Sequence, residues 1–152
     1  EHSSLQKMHQ ELSKHRGWGG GGFMSYEVVT DLNYTSVLEK ATDKMAWANA
    51  GPGAVRGLNR IHNRKLEKAL KQDQCNIEMR DLLLFGKENS YIKSVVLKNI
   101  NINDIDMRTI EHSLCEWDKY ERVRLGQGRP RSKYKAESSL FATNEFKKGT
   151  VK

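Results

Sequence analysis

Cysteine is scarce. Cys75 and Cys115 are the only two, too few for a disulfide framework, and their setting reads as reducing and intracellular. No apolar run approaches the ~20 residues that a membrane-spanning helix needs. Nowhere does G-x-x-x-x-G-K followed by Ser or Thr occur, so the chain carries no Walker phosphate loop. His2, His9, His15, His62 and His112 show no H-x-x-x-H spacing and the cysteines no C-x-x-C, so no metal site is expected. There is no internal repeat and, apart from one glycine run, no low-complexity segment. The chain begins at Glu1 and not at Met. Its true start is expected upstream, so the lack of a signal peptide excludes little.

Positive charge is what the chain has in excess. Twenty-six Lys and Arg against 19 Asp and Glu leave a formal net charge of +7. That balance favours a polyanionic partner, nucleic acid first; a basic but unspecialised surface is the alternative. With 152 residues, 37% hydrophobic and 30% charged, the chain fits a single globular domain with a real core. We expect residues 1–134 to form one helical DNA-binding or DNA-modifying domain, and the polar stretch 135–152 a loosely held tail.

Periodicity points to helices throughout. Leu5, Met8 and Leu12 recur at helical spacing, with Ser3 and Gln6 matching a capping box. "GWGGGG", residues 17–22, breaks that helix. A second helical stretch follows through Phe23, Val28, Val29 and Leu32 to about Asn33, giving helix, glycine hairpin, helix. "LNYTSVLEKATDK" reads as a turn and short helix. Leu58, Ile61, Leu66, Ala69 and Leu70 suggest one or two more. "MRDLLLF" resembles a buried helical turn, and "SYIKSVVLKNI" is ambiguous between helix and strand. Met107, Ile110, Leu114 and Trp117 mark a strong amphipathic helix, capped by Asn103 or Asp106. It is expected to stop near Leu125, where Gly126, Gly128 and Pro130 break it. The expected class is all-α.

Three segments carry candidate chemistry. Gly17, Gly19 and Gly22 satisfy G-x-G-x-x-G, but the dinucleotide fingerprint needs a preceding strand and "HQELSKHR" is polar and helical. A glycine hairpin between helices can instead grip a DNA phosphate through backbone N–H groups and the next helix's N-terminus; a flexible connector is the alternative. In "WANAGPGAVRGLNR", Gly51 and Gly53 flank Pro52 in a rigid turn. Arg56 and Arg60 share one helix face beyond it, a pattern suited to an anion, or to an ordinary turn with solvated arginines. Trp47 stacks on a base or, more often for a lone tryptophan, packs in the core. In residues 110–134, Glu111, Cys115, Asp118 and Arg122 share a face, with the apolar stripe turned elsewhere. Asp118 with Arg122 reads as a surface pair or part of a site, and Glu111, Glu116 and Asp118 are potential general bases. Arg122, Arg124, Arg129, Arg131, Lys133 and Tyr134 suit a phosphate backbone or a solvated charge run. Cys115 beside His112 reads as a buried thiol.

"GFMSYEVVTDLNY", "WANAGPGAVRGLNR" and "EHSLCEWDKYERVRLGQGRPRSKY" together resemble the helical domain of phage 5-hydroxymethyldeoxyuridine DNA kinases. They also resemble the related α-glutamyl/putrescinyl thymine pyrophosphorylases, or amino acid:DNA transferases, of thymine hypermodification, a group related to helix-hairpin-helix DNA glycosylases. The likeness covers residues 5–60 and 107–134. It implies a helix-hairpin-helix, glycosylase-like fold that binds DNA containing modified thymine. ATP then phosphorylates the 5-hydroxymethyl group in the kinases, or an amine or amino acid displaces the activated group in the relatives. By position it assigns Arg56, Asn59, Arg60, Glu116, Asp118, Lys119 and Tyr120 to catalysis. Gly17, Gly19, Gly22, Gly51, Gly53, Gly57, Arg122, Arg124, Arg129 and Arg131 are assigned to nucleic acid or phosphate. ATP and magnesium would belong to a separate or fused kinase domain, no cofactor to this chain. The expected setting is the cytoplasm of an infected host cell or of a bacterium, with no membrane partner. Two departures stand out: the hairpin is longer than the family's turn, and no acid lies among residues 49–54, so base excision is not expected. A non-catalytic DNA-binding module remains the rival reading.

Overall fold

The structure, a computed structural model, describes residues 3–18, 22–96 and 98–128. Among them run five α-helices and no strand: α1 (Leu5–Ser13), α2 (Phe23–Leu32), α3 (Pro52–Ile61), α4 (Gln72–Glu88) and α5 (Met107–Arg124). A single π-helical turn at Ile92–Val96 and a 3₁₀ turn at Ile102–Asp104 join α4 to α5. The expected all-α class is what the structure shows. The tail 135–152 lies outside the described residues.

α1 begins at Ser4, whose Oγ accepts from the Lys7 backbone at 3.2 Å, and not at Ser3 as the capping-box match suggested. A second cap arrives from afar. The Asp43 carboxylate accepts from the Leu5 and Gln6 backbone N–H groups at 2.8 and 3.0 Å and from Ser4 Oγ at 2.7 Å. A carboxylate against the free N–H groups and positive end of a helix is a favourable pairing. It needs Asp43 in a turn, and residues 34–46 form successive turns instead of the expected short helix. α1 and α2 then pack together across the hairpin. There the Ser13 and buried Ser25 hydroxyls lie 2.8 Å apart.

One apolar cluster joins all five helices, with Leu5, Val29, Leu58, Met79, Leu83, Met107 and Leu114 among its members. Trp47 is in it, 5.7 Å from the Tyr26 ring in an edge-to-face pair, which is the packing role. "MRDLLLF" lies within α4 and is buried on one side only, through Met79 and Leu83. Residues 62–71 leave helix after α3. Asn63 takes a positive φ of 50° there, a conformation Asn tolerates better than most.

α5 departs most from its sequence pattern. Asp106 is its cap, accepting from the Thr109 backbone N–H while the Thr109 hydroxyl faces the Asp106 N–H. Its buried residues are Met107, Glu111, Leu114 and Asp118, whereas Trp117 is 38% exposed. The two carboxylates, expected on a face apart from the apolar stripe, are therefore buried with Met107 and Leu114, because the neighbouring helix meets them with cations and an N–H group. The helix stops at Gly126, φ 67°. The Gln127 N–H donates to the Arg122 carbonyl at 2.7 Å and Gly126 N–H to that of Val123 at 3.2 Å, a Schellman end that requires the left-handed residue.

Candidate functional site: an arginine pair on a buried aspartate

The α3–α5 crossing is the most extensive helix contact among the described residues, and glycine makes it close. A methyl group on Gly53 would lie 2.9 Å from Cys115 Sγ, and one on Gly57 3.0 Å from the Leu114 carbonyl oxygen. Both glycines, expected to contact phosphate, are spent on this contact with α5. The crossing carries the next two residues on the same α3 face, Arg56 and Arg60, onto Asp118. Arg56 Nε donates to Asp118 Oδ2 at 2.7 Å, and Arg60 Nε to Oδ1 at 3.2 Å. The Asp118 side chain is wholly buried, that of Arg60 is 10% exposed and that of Arg56 31%. Arg60 Nη2 also donates to Gln127 Oε1 at 2.8 Å, a reach made possible by the turn that ends α5. Among the described residues the Arg56 side chain makes no other hydrogen bond, which leaves its terminal nitrogens without a partner there. The cluster is net cationic: two guanidinium groups on one carboxylate.

Two turns earlier on α5, Glu111 meets the start of α3. Its Oε1 accepts from the Gly51 backbone N–H at 3.2 Å and from Cys115 Sγ at 3.3 Å, while His112 Nε2 stands 3.7 Å from Oε2. The helix N-terminus expected to receive an external anion is thus occupied by the protein's own carboxylate. No acid lies among residues 49–54, yet one reaches them through space. Burial, with Glu111 beside it, pushes the Cys115 thiol up to about 12. Burial likewise raises the Tyr26 hydroxyl, again with Glu111 adding to it; among the described residues this hydroxyl has no hydrogen-bond partner. The extended segment leading to the turn is fixed in the same way. Ala48 donates its N–H to Asn76 Oδ1 at 3.1 Å and its carbonyl accepts from Gln72 Nε2 at 2.7 Å.

The other assigned residues spread out. Asn59 is fully buried, and its Nδ2 donates to the Leu66 and Lys68 carbonyls at 3.1 and 2.9 Å; it ties down the loop after α3 and does not face solvent. Glu116 and Lys119 pair with each other on the exposed face of α5, where Tyr120 is 64% exposed. Arg124 is bonded to Glu121 through two nitrogens at 2.9 and 2.7 Å. Asp118 does not pair with Arg122; the Arg122 guanidinium lies so close over Gly128 that a methyl group there would come within 2.8 Å of Nη2. At the hairpin, Gly17 and Gly22 have φ of 92° and 73°. Gly22 abuts the turn, since a methyl group on it would come within 3.4 Å of Asn49 Nδ2. Gly19, Arg129 and Arg131, with Lys133 and Tyr134, lie outside the described residues.

Sequence reasoning named Glu111 only as a potential general base and gave neither it nor His112 a place in the assigned site. The signal was present in Glu111 lying one heptad before Asp118, but nothing local shows that α3 supplies its partners. Among the described residues, no group of three or more His, Cys, Asp or Glu side chains is placed to hold a metal, and no helix is long and apolar enough to cross a membrane.

A family model described as the helical domain of 5-hmdU DNA kinase matches residues 1–129. No curated protein and no solved structure matches the chain.

Proposed function

The chain belongs to the family of 5-hmdU DNA kinase helical domains, and from that premise we propose that it binds DNA and holds the 5-hydroxymethyluracil nucleotide for modification. Membership carries a role in thymine hypermodification. The observation that supports the finer reading is the convergence of Arg56 and Arg60 on the buried Asp118. Each guanidinium spends its Nε edge on the carboxylate, which fixes the plane of the fork before any ligand arrives. The remaining N–H groups of Arg56 then suit a phosphate oxygen, for which Arg offers paired, always charged donors.

Asp118 is on this reading a positioning residue. Each of its oxygens accepts from a guanidinium group and its side chain has no solvent exposure, so it is not placed to reach and deprotonate a hydroxymethyl group. Glu116, the other candidate base, sits on the exposed face of α5 beside Lys119. The chemical step would pass the terminal phosphoryl group of ATP to the hydroxymethyl oxygen, releasing ADP and a proton. With no phosphate loop in this chain, nucleotide binding falls to residues elsewhere. Gly22, beside Asn49 ahead of the α3 turn, and Gly17 would supply a second backbone contact.

The test is duplex binding by the full chain across a salt series, with and without 5-hydroxymethyluracil in the strand. Arg56→Ala is expected to weaken binding and to lower the slope of log Kd against log salt by about one phosphate contact. Arg56→Lys keeps the charge and should retain the slope while losing part of the affinity. If Arg56→Ala and Arg60→Ala together leave both affinity and slope unchanged, the site is not where DNA is held.

A further inference from the structure

Two large apolar residues at the hairpin are unused by the core. Phe23 is 64% exposed and Met24 54%, although Phe23 stands with Val28, Val29 and Leu32 in the helical stretch read from the sequence. The buried side of α2 is formed by Ser25, Tyr26, Val29 and Thr30, which leaves its first two residues turned to solvent. Trp18, on the opposite arm, is half-buried. No carboxylate occurs between Glu11 and Glu27, while Lys14, His15 and Arg16 fall in that interval, all three exposed. The positive end of the α2 dipole adds to the same field.

This pair is also held rigidly. The Gly22 carbonyl, immediately before Phe23, accepts from the Tyr26 N–H at 3.0 Å, from His9 Nε2 at 3.1 Å and from Ser25 Oγ at 3.1 Å. Gly22 has φ 73°, and a methyl group on it would lie 2.7 Å from His9 Nε2, so the position strongly favours glycine. A fixed apolar pair that follows a chain segment carrying Lys14, paired with Glu11 at 2.6 Å, and the exposed His15 and Arg16 complements a partner that is anionic outside and apolar between stacked faces. Duplex DNA is that partner: phosphates meet the cations, and a base step meets the apolar side chains.

We infer that Phe23 and Met24 form a wedge that enters the base stack of the bound duplex and opens one step. The inference rests on the DNA-binding reading above and adds to it a surface that acts on the bases. Opening a step lowers the cost of turning a nucleotide out of the helix, which chemistry at a base requires. Arg56 and Arg60 hold the backbone; the wedge loosens what they hold.

The experiment titrates the full chain into duplexes carrying 2-aminopurine at successive positions, at low salt, reading emission and anisotropy together. The unaltered protein should raise 2-aminopurine emission roughly threefold at one step, as unstacking does. Phe23→Ala with Met24→Ala should bind with an unchanged salt slope yet lose most of that rise, and Phe23→Leu should keep part of it. A rise that persists in the double variant, or binding by the unaltered protein with no rise at any position, overturns the wedge while leaving DNA binding intact. Failure to bind duplex even at low salt removes both readings. A dimer in sedimentation that Phe23→Ala dissociates would assign the patch to a second copy of the chain, and also overturns the proposal.

Discussion

At the scale of single residues, glycines of one composition do opposite things. Gly57 is pressed against Leu114, where a methyl group would stand 3.0 Å from the carbonyl oxygen and 3.1 Å from Cβ and Cδ2. Backbone cannot retreat from such a contact, so Gly57→Ala is expected to destabilise the fold by about 1–3 kcal/mol. Gly86 sits inside α4 with nothing within 4 Å of the same methyl group. There Gly86→Ala gains helix propensity and should stabilise by about 0.5–1 kcal/mol. Denaturant midpoints of the two variants check the contrast, and a neutral Gly57→Ala would mean that α3 and α5 are not in close contact. Asp118 makes the same point with charge. Its neighbours in sequence suggested Arg122, four residues on, whereas its partners are Arg56 and Arg60, 62 and 58 positions away. Asp118→Asn leaves two arginines crowded without their anion, at a cost of about 3 kcal/mol, seen as a lowered urea midpoint.

At the scale of elements, what was legible was local. Helices α1 and α5 show in the spacing of Leu5 with Leu12 and of Met107 with Leu114, and Asp106, the cap of α5, is one of the two caps that residue type indicates. Asp43 could not be found that way, because it caps α1 from 38 residues on. The turns at 34–46 follow from the same fact: a continuous helix there would carry the carboxylate away from Leu5. Asp43→Ala should therefore loosen one element in particular. We expect about 1–2 kcal/mol of destabilisation, with faster amide exchange at Leu5, Gln6 and Lys7 and little change in α4. Uniform exchange across the molecule would show that the Asp43 contact is incidental.

At the scale of the whole molecule, the helices meet through polar groups that charge and periodicity did not foretell. The amphipathic pattern of α5 assigned its carboxylates to a face of their own. Their burial became visible only when α3 supplied the Gly51 N–H to Glu111 and two arginines to Asp118. One consequence concerns pH. Burial raises the Cys115 thiol from 9.0 to about 12, with Glu111 adding to the rise, and it also raises Cys75 and the Tyr26 hydroxyl. Each group holds its proton more tightly folded than unfolded. The stability it contributes is therefore complete below the unfolded value and is lost as pH climbs towards the folded one. The urea midpoint should stay level through neutral pH and fall from pH 9 to about 12 for the Cys115 share. That share is roughly 2 kcal/mol, less than full linkage because the thiol is only partly buried. Cys115→Ala should make the fall shallower without removing it, since Tyr26 and Cys75 remain. The same burial leaves almost no thiolate at Cys115 near pH 8, so a disulfide reagent should modify it only on unfolding. Rapid modification of the native protein would show Cys115 open to solvent, and with it the α3–α5 contact that brings Arg56 and Arg60 onto Asp118.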